Sequence, residues 1–387
     1  MRKIANCESR IANWRLPAQF AVIFGLLGLP ALARCPISPN GTLKIQAAVG
    51  NLIVEPTGGD SVDVDVTDNA VKLQETCAAP DSVLIESSAS TQLRNGKIPD
   101  WRIRVPKSVN LDFVAHAGGV TLTGDYDGAV ILRTTGGSVT VRNVRGNTTI
   151  VTQGGFIKAG NIGGAAELRS QGNLEVGNVG GAAMLKTTHG FINAGVLAGP
   201  VRVETEGGSI RFRETRGEVH ILNTRGGDIS IGTAASIDAK TDGGNIVSRL
   251  VREWFKGRTE AGDIRISQAH WVEASTGAGN IEVHIIPADG NRPLHVALQS
   301  DRGDVFLYLD ERIKATVEAI VDKKPIRSDS RIYSDWDVAE ARRQKSPIVG
   351  VPLLAPQRES RRLNINGGGD LMNVKTSFGT IEIRKNF

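Results

Sequence analysis

Thr241-Asp242-Gly243-Gly244-Asn245-Ile246, Thr259-Glu260-Ala261-Gly262-Asp263-Ile264 and Thr276-Gly277-Ala278-Gly279-Asn280-Ile281 are one phrase, Thr-x-x-Gly-polar-Ile, written three times. Working outward, the phrase recurs at 224–229 and 205–210, with Phe in the polar position at 187–192 and 152–157, and with Val in place of Ile at 134–139. Its glycine falls at positions 119, 137, 155, 172, 190, 208, 227, 244, 262 and 279, with gaps of 17 to 19 residues. Gly303 follows after 24 residues and Gly379 after a longer interruption. Self-similarity at a fixed period of this length marks a stacked repeat architecture rather than a single compact core.

One unit can be read residue by residue. After the glycine, apolar residues alternate, as in Val139 and Val141, Ile229 and Ile231, or Ile264 and Ile266. A period of two is a strand with one buried face. Another apolar position precedes the glycine (Leu132, Ile150, Leu168, Leu185). A second turn falls at Asn143-Val144-Arg145-Gly146 and Asn161-Ile162-Gly163-Gly164. Each unit is therefore two or three short strands joined at glycine-bearing corners, where glycine accepts positive φ without steric penalty. The expected fold is all-β, a right-handed parallel β-helix or solenoid with coils of about 18 residues. Eleven such coils at ~4.8 Å spacing make a rod of roughly 50 Å.

The chain divides on this pattern. Residues 1–33 carry Arg2, Lys3, Arg10 and Arg15, then a short apolar run to Leu29, then Ala31-Leu32-Ala33. This is the layout of a cleaved secretory signal, and the run falls short of the roughly 20 residues a membrane span needs. Arg34 before Cys35 does not suit a lipoprotein site. Residues 34–107 are β-rich but out of register and form an N-terminal cap segment. Residues 108–310 are the regular array. Residues 311–366 are a polar, proline-bearing insert, with a short helix expected over 335–345. Residues 367–387 return to register as a final coil.

The full chain has a formal charge of +5; residues 1–33 hold four basic residues and one acidic residue, so +2 remains after their removal. Much of the basic balance thus leaves with the signal, and no nucleic-acid partner is implied. Cys7 leaves too. Cys35 and Cys77 remain, either as a disulfide suited to an oxidising compartment or as two free thiols.

At this point the pattern resembles a bacterial family, the putative-adhesin β-strand-repeat domain of unknown function. The carrying residues are Gly50-Asn51-Leu52-Ile53-Val54, Trp101-Arg102-Ile103-Arg104-Val105-Pro106, the Thr-x-x-Gly-x-Ile ladder and Ser300-Asp301-Arg302-Gly303-Asp304-Val305. The close is Ile365-Asn366-Gly367-Gly368-Gly369 through Thr376-Ser377-Phe378-Gly379-Thr380-Ile381. The resemblance implies a location in the envelope or at the surface, with an adhesive role; the signal by itself leaves the periplasm, the cell surface and the extracellular space open. It brings no catalytic residues.

Candidate chemistry is sparse. Asp228, Asn245, Asp263, Asn280 and Asp304 follow the key glycine and present oxygens to one corner, as a calcium site would require. Asn and Asp at such corners more often bond the turn backbone. Asn143, Asn161 and Asn178 form a similar ladder at the other corner. No histidine pair has metal-ligand spacing, and neither a nucleophile elbow nor a phosphate loop occurs. No cofactor or metal is expected. Four residues before the glycine, Arg133, Val151, Lys186, Glu204, Asn223, Lys240 and Arg258, with Arg169 close by, form a partly basic stripe that could hold an anionic glycan. In the insert, Tyr333, Asp335, Trp336 and Asp337 form an aromatic-acidic group suited to sugar contact. Arg133, Arg169, Lys186, Tyr333, Asp335 and Trp336 are thus the candidate ligand-binding residues. The function expected is non-enzymatic binding or adhesion to a surface or glycan ligand. A self-assembling structural role stands as one alternative. A polysaccharide-active enzyme built on Asp263, Arg265, Arg302 and Asp304 stands as another.

Overall fold

The structure is a computed structural model that describes residues 33–47, 49–67, 72–79, 81–88, 98–287, 292–323, 332–336 and 357–386. Nearly all of the expected signal lies outside these residues, as do Asp337 and most of the helix expected over 335–345. Asp335 and Trp336 themselves lie in a bend. The described residues are all-β, without helix, and their strands join in one long open sheet.

Two parallel ladders run through the array. In the first, Val130–Thr134, Thr148–Thr152, Ala166–Ser170 and Ala183–Thr187 each pair with the next, placing Leu132, Ile150, Leu168 and Leu185 in one column. In the second, Val139–Val141, Ile157–Ala159, Leu174–Val176 and Ile192–Leu197 do the same. Single bridges link Tyr126, Val144, Ile162, Val179 and Leu197 along the second corner. The pairing offset is the sequence period, so each unit lies against the corresponding part of the next. The inward column Val139, Ile157, Leu174, Ile192, Ile210, Ile229 and Ile246 is almost wholly excluded from solvent. Each such side chain contributes roughly 1.5–3 kcal/mol on burial.

The phrase that defines the repeat has a structural cause different from the one expected. The key glycines do not have positive φ; among the described residues that conformation occurs in glycine only at Gly50, Gly118, Gly367 and Gly368. They are glycine because successive units touch there. A methyl group on Gly227 would sit on the carbonyl oxygen of Gly208, and one on Gly244 on that of Gly227. The threonine three residues earlier completes the contact. The Thr259 hydroxyl donates to the Gly244 carbonyl of the preceding unit at 2.9 Å and accepts the Gly262 N–H of its own unit at 3.0 Å. Thr241, Thr276 and Thr376 repeat both bonds, and Ser300 does so with its own hydroxyl. Thr259→Val keeps the shape and leaves two buried backbone groups short of a partner. It is expected to cost about 2 kcal/mol, read as a lower urea midpoint, while Thr259→Ser stays near wild type.

Antiparallel strands close both ladders at the N-terminal end and the first ladder at the C-terminal end; the second ladder ends there in a short parallel strand. At the N-terminal end Thr42–Ala47 lies between Asn110–Ala115 and Ser82–Ser88, and Lys72–Ala79 pairs antiparallel outside them. In the second ladder Asn51–Thr57 pairs with Val120–Leu122 and Asp100–Pro106, followed by antiparallel Ser61–Val66 and Ala33–Pro36. A disulfide between Cys35 and Cys77, Cα atoms 6.0 Å apart, ties the outermost strands of the two ladders.

The C-terminal end reverses the order of the chain. Asp370–Thr376 lies directly on His295–Ser300, and Ala315–Lys323 pairs on its far side. Gln357–Ile365 then pairs antiparallel as the outer edge. Likewise Ile381–Asn386 lies between Val305–Asp310 and Ile332–Ser334. The segment read as an insert thus supplies strands that cover the final coil.

Candidate ligand-binding face

Strand alternation sends every second residue of the first ladder outward. The expected basic row is real as a row: Arg133, Val151, Arg169 and Lys186 are consecutive register partners. Its charges, however, are matched within the fold. Arg133 Nη1 is 3.0 Å from Asp112, Arg169 Nη2 is 2.8 Å from Glu167, and Lys186 Nζ is 3.1 Å from Glu204. Arg202 shares Glu204, and its hydrogen bond is the main reason that carboxyl sits below the usual range.

The structure does bring Tyr333, Asp335 and Trp336 together at the end of the second ladder. Asp335 accepts from Arg384 Nη1 at 2.7 Å and from the Lys385 N–H at 3.1 Å. These bonds, Arg384's first, hold its carboxyl below the usual range. Trp336 packs against the core, with Lys385 Nζ 5.9 Å from its ring centroid. Both residues therefore anchor the cover strand. Tyr333 is exposed, opposite Glu382.

The corner acids and amides bond backbone. Asp228, Asn245, Asp263 and Asn280 each accept, at 2.8 Å, the N–H of the residue one unit on. Asp304 accepts the Thr380 N–H at 2.7 Å. Asn143, Asn161 and Asn178 do the same at the other corner at 2.9 Å. Asp263 also lies 3.5 Å from Arg265, which in turn is 3.1 Å from Glu282. The corner acids and amides weighed for calcium, Asp263 and Asp304 among them, thus bond the backbone of the next unit.

Farther along the first ladder the outer face changes character. A shallow groove of about 600 Å³ opens between Asp238 and Lys375. It forms because Ser275 and Ala297 are short, while Lys256 and Arg258 on one side and Lys375 and Glu318 on the other are long. Three outward rows cross this region. The first is Ser236, Trp254, Trp271 and His295, which borders the groove. The rings of Trp254 and Trp271 meet edge to face at 6.5 Å, and Trp271 stacks on His295 at 4.5 Å. Ser236, opposite Trp254, is buried and donates to Glu253 at 3.2 Å. In the second row Lys256 lies 3.6 Å from Glu273 and over the Trp271 ring at 5.4 Å, and Glu273 lies 3.2 Å from His295. The third row is Lys240, Arg258, Ser275, Gln299 and Lys375. Lys375 is 3.3 Å from Asp322. Lys240 and Arg258 are adjacent and exposed, and among the described residues neither has an ion-pair partner.

Lys240 and Arg258 belong to the stripe read from the sequence; the aromatic row was missed. The register contained it. Ser236, Trp254, Trp271 and His295 stand eight residues before Gly244, Gly262, Gly279 and Gly303. Numbering from the key glycine, rather than reading aromatics singly, places them side by side.

No protein-family model matches the chain, and no curated protein does. Among solved structures it is similar to a "putative cell adhesion protein" of Clostridium sporogenes, at 8% identity and a TM-score of 0.19, over 92% of this chain and all of that one. It is also similar to a "putative adhesin" of Bacteroides fragilis, at 15% identity and a TM-score of 0.25, over 67% of this chain and 98% of that one. Among the described residues no helix is long and apolar enough to cross a membrane.

Proposed function

We propose that this chain is an exported, non-enzymatic β-solenoid that binds an extended surface or glycan ligand along the outer face of its first ladder. Parallel strands that return to the same ladder every 17 to 19 residues imply one full turn per unit. Parallel crossovers are right-handed in about 98% of cases, which favours a right-handed coil. The observation that carries the binding role is the groove between Asp238 and Lys375 with its tryptophan border. Elsewhere the inward columns pack and the corners bond backbone, but here aromatic and cationic side chains stand outward together. Aromatic rings beside a few placed polar groups suit a sugar ligand. Antiparallel outer strands at the N-terminal end and on the first ladder's C-terminal end, and an outermost strand of only three residues, Ile332–Ser334, at the second ladder's C-terminal end, favour this reading over end-to-end assembly, because short or reversed edges offer little for another copy's parallel coil to extend.

The test is a titration of the exported chain with neutral and acidic polysaccharides, read by tryptophan fluorescence. A reducing-end and unsaturated-product assay runs on the same samples. Saturable binding to at least one polymer is expected, weakened at least tenfold by Trp254→Ala, with no new chain ends. Polymer cleavage, or binding indifferent to Trp254, would overturn the proposal.

A further inference from the structure

Lys240 and Arg258 break a rule that the rest of their row obeys. Arg133, Arg169 and Lys186, at equivalent outward positions, each have a carboxylate within 3.1 Å. Farther along the row Lys375 has Asp322. Lys240 and Arg258 are direct register partners on adjacent parallel strands, which lie about 4.8 Å apart. Like charges facing each other across a sheet are unfavourable. The acids nearby do not close this pair. Glu273 is engaged by Lys256 and His295, and among the described residues Asp238, Asp242 and Glu260, each two residues along the chain from Lys240 or Arg258, form no ion pair with either.

We infer that the pair is completed by the ligand, and that the groove selects an acidic glycan. Its carboxylate or sulfate is held between Lys240 and Arg258, with a sugar ring beside Trp254. The dimensions agree. Trp254 and Arg258 are on one strand, four residues apart, hence about 13 Å; that span accommodates a disaccharide. Ser275 and Gln299 continue the third row with neutral hydrogen-bonding groups, so the polymer can extend toward Lys375 across the strands. An arginine beside a lysine suits this task, because the guanidinium can hold an oxyanion with two donors while the ammonium adds a point charge.

This inference rests on the binding role proposed above, and the experiment separates the two. Oligogalacturonate supplies carboxylates, dextran sulfate supplies sulfates, and dextran supplies neither. Each is titrated against the wild-type chain, Lys240→Gln/Arg258→Gln, Trp254→Ala, and Arg133→Gln/Lys186→Gln as the matched control from the neutralised part of the row. Circular dichroism confirms that each variant is folded; all the substituted side chains project outward.

Binding of one or both acidic polymers is expected to weaken at least tenfold in the 240/258 variant. It should be unchanged in the 133/186 variant and should weaken as salt rises from about 50 to 300 mM through screening. Which acidic polymer binds identifies the anion. Dextran binding as tight as that of the acidic polymers, lost in Trp254→Ala but intact in the 240/258 variant, would overturn the acidic selectivity and leave the binding role standing. No binding to any of the three would overturn the inference, and the wider panel above then decides the binding role.

Discussion

Gly227→Ala is expected to unfold the array, while Gly226→Ala, one residue earlier in the same turn, should leave the thermal midpoint unchanged or slightly raised. The two glycines look alike in sequence and differ in what lies beside them. A methyl group at Gly226 meets nothing within 4 Å, and the residue has no positive φ. Its replacement removes unfolded-state entropy, an effect of about 0.4–1 kcal/mol in favour of folding. A methyl group at Gly227 lands on the backbone of Gly208, at the carbonyl oxygen that also accepts from Thr224. No rotamer change relieves a clash between backbone and Cβ. The units must separate, taking with them the pairing of Val219–Thr224 against its neighbour. A loss of about 4 kcal/mol or more follows, in the range reached only by severe core disruption. Gly243→Ala and Gly244→Ala form a second such pair, one open and one closed. Thermal melts of the four variants decide the matter. Equal midpoints for Gly226→Ala and Gly227→Ala would show that the glycine register serves some purpose other than close stacking.

That contrast also shows why the array was legible from sequence while its cause was not. The spacing of Gly227, Gly244 and Gly262 locates the strands and the inward column, because both repeat with the backbone. Whether a glycine is needed for its φ or for the atom opposite depends on the neighbouring unit, and both needs look the same in one chain. The site was legible to the same degree. Lys240 and Arg258 were visible as members of a basic stripe. The partners that neutralise Arg169 and Lys186 were visible too, Glu167 two residues before one and Glu204 one unit after the other. Comparing charges across units, rather than along one position, separates the closed part of the stripe from the open part. At the C-terminal end Thr376 and Gly379 marked the final coil, but not its place between the array and the cover strands, because the pairing order there departs from chain order.

Ending the chain after Asn366 is expected to abolish soluble, folded protein. If the final coil were a terminal repeat, its removal would expose the preceding unit and cost little, as repeat arrays tolerate shortening when the ends stay capped. Here the coil is internal. Asp370–Thr376 separates His295–Ser300 from Ala315–Lys323, and Ile381–Asn386 separates Val305–Asp310 from Ile332–Ser334. Its removal deletes the buried Met372, Val374, Ile381 and Ile383. At roughly 1.5–3 kcal/mol each, these four account for roughly 6–12 kcal/mol of burial, comparable to the whole stability of an ordinary domain at about 5–15 kcal/mol. The cover strands lose the surface they lie on, and two array strands gain unpaired edges that recruit other chains. Size-exclusion chromatography and a thermal melt of the truncated chain test this directly. A monomer melting where the full chain melts would mean that the cover strands can dock onto His295–Ser300 by themselves. The order in which the last three segments stack would then be a preference among near-equal arrangements rather than a requirement of the fold.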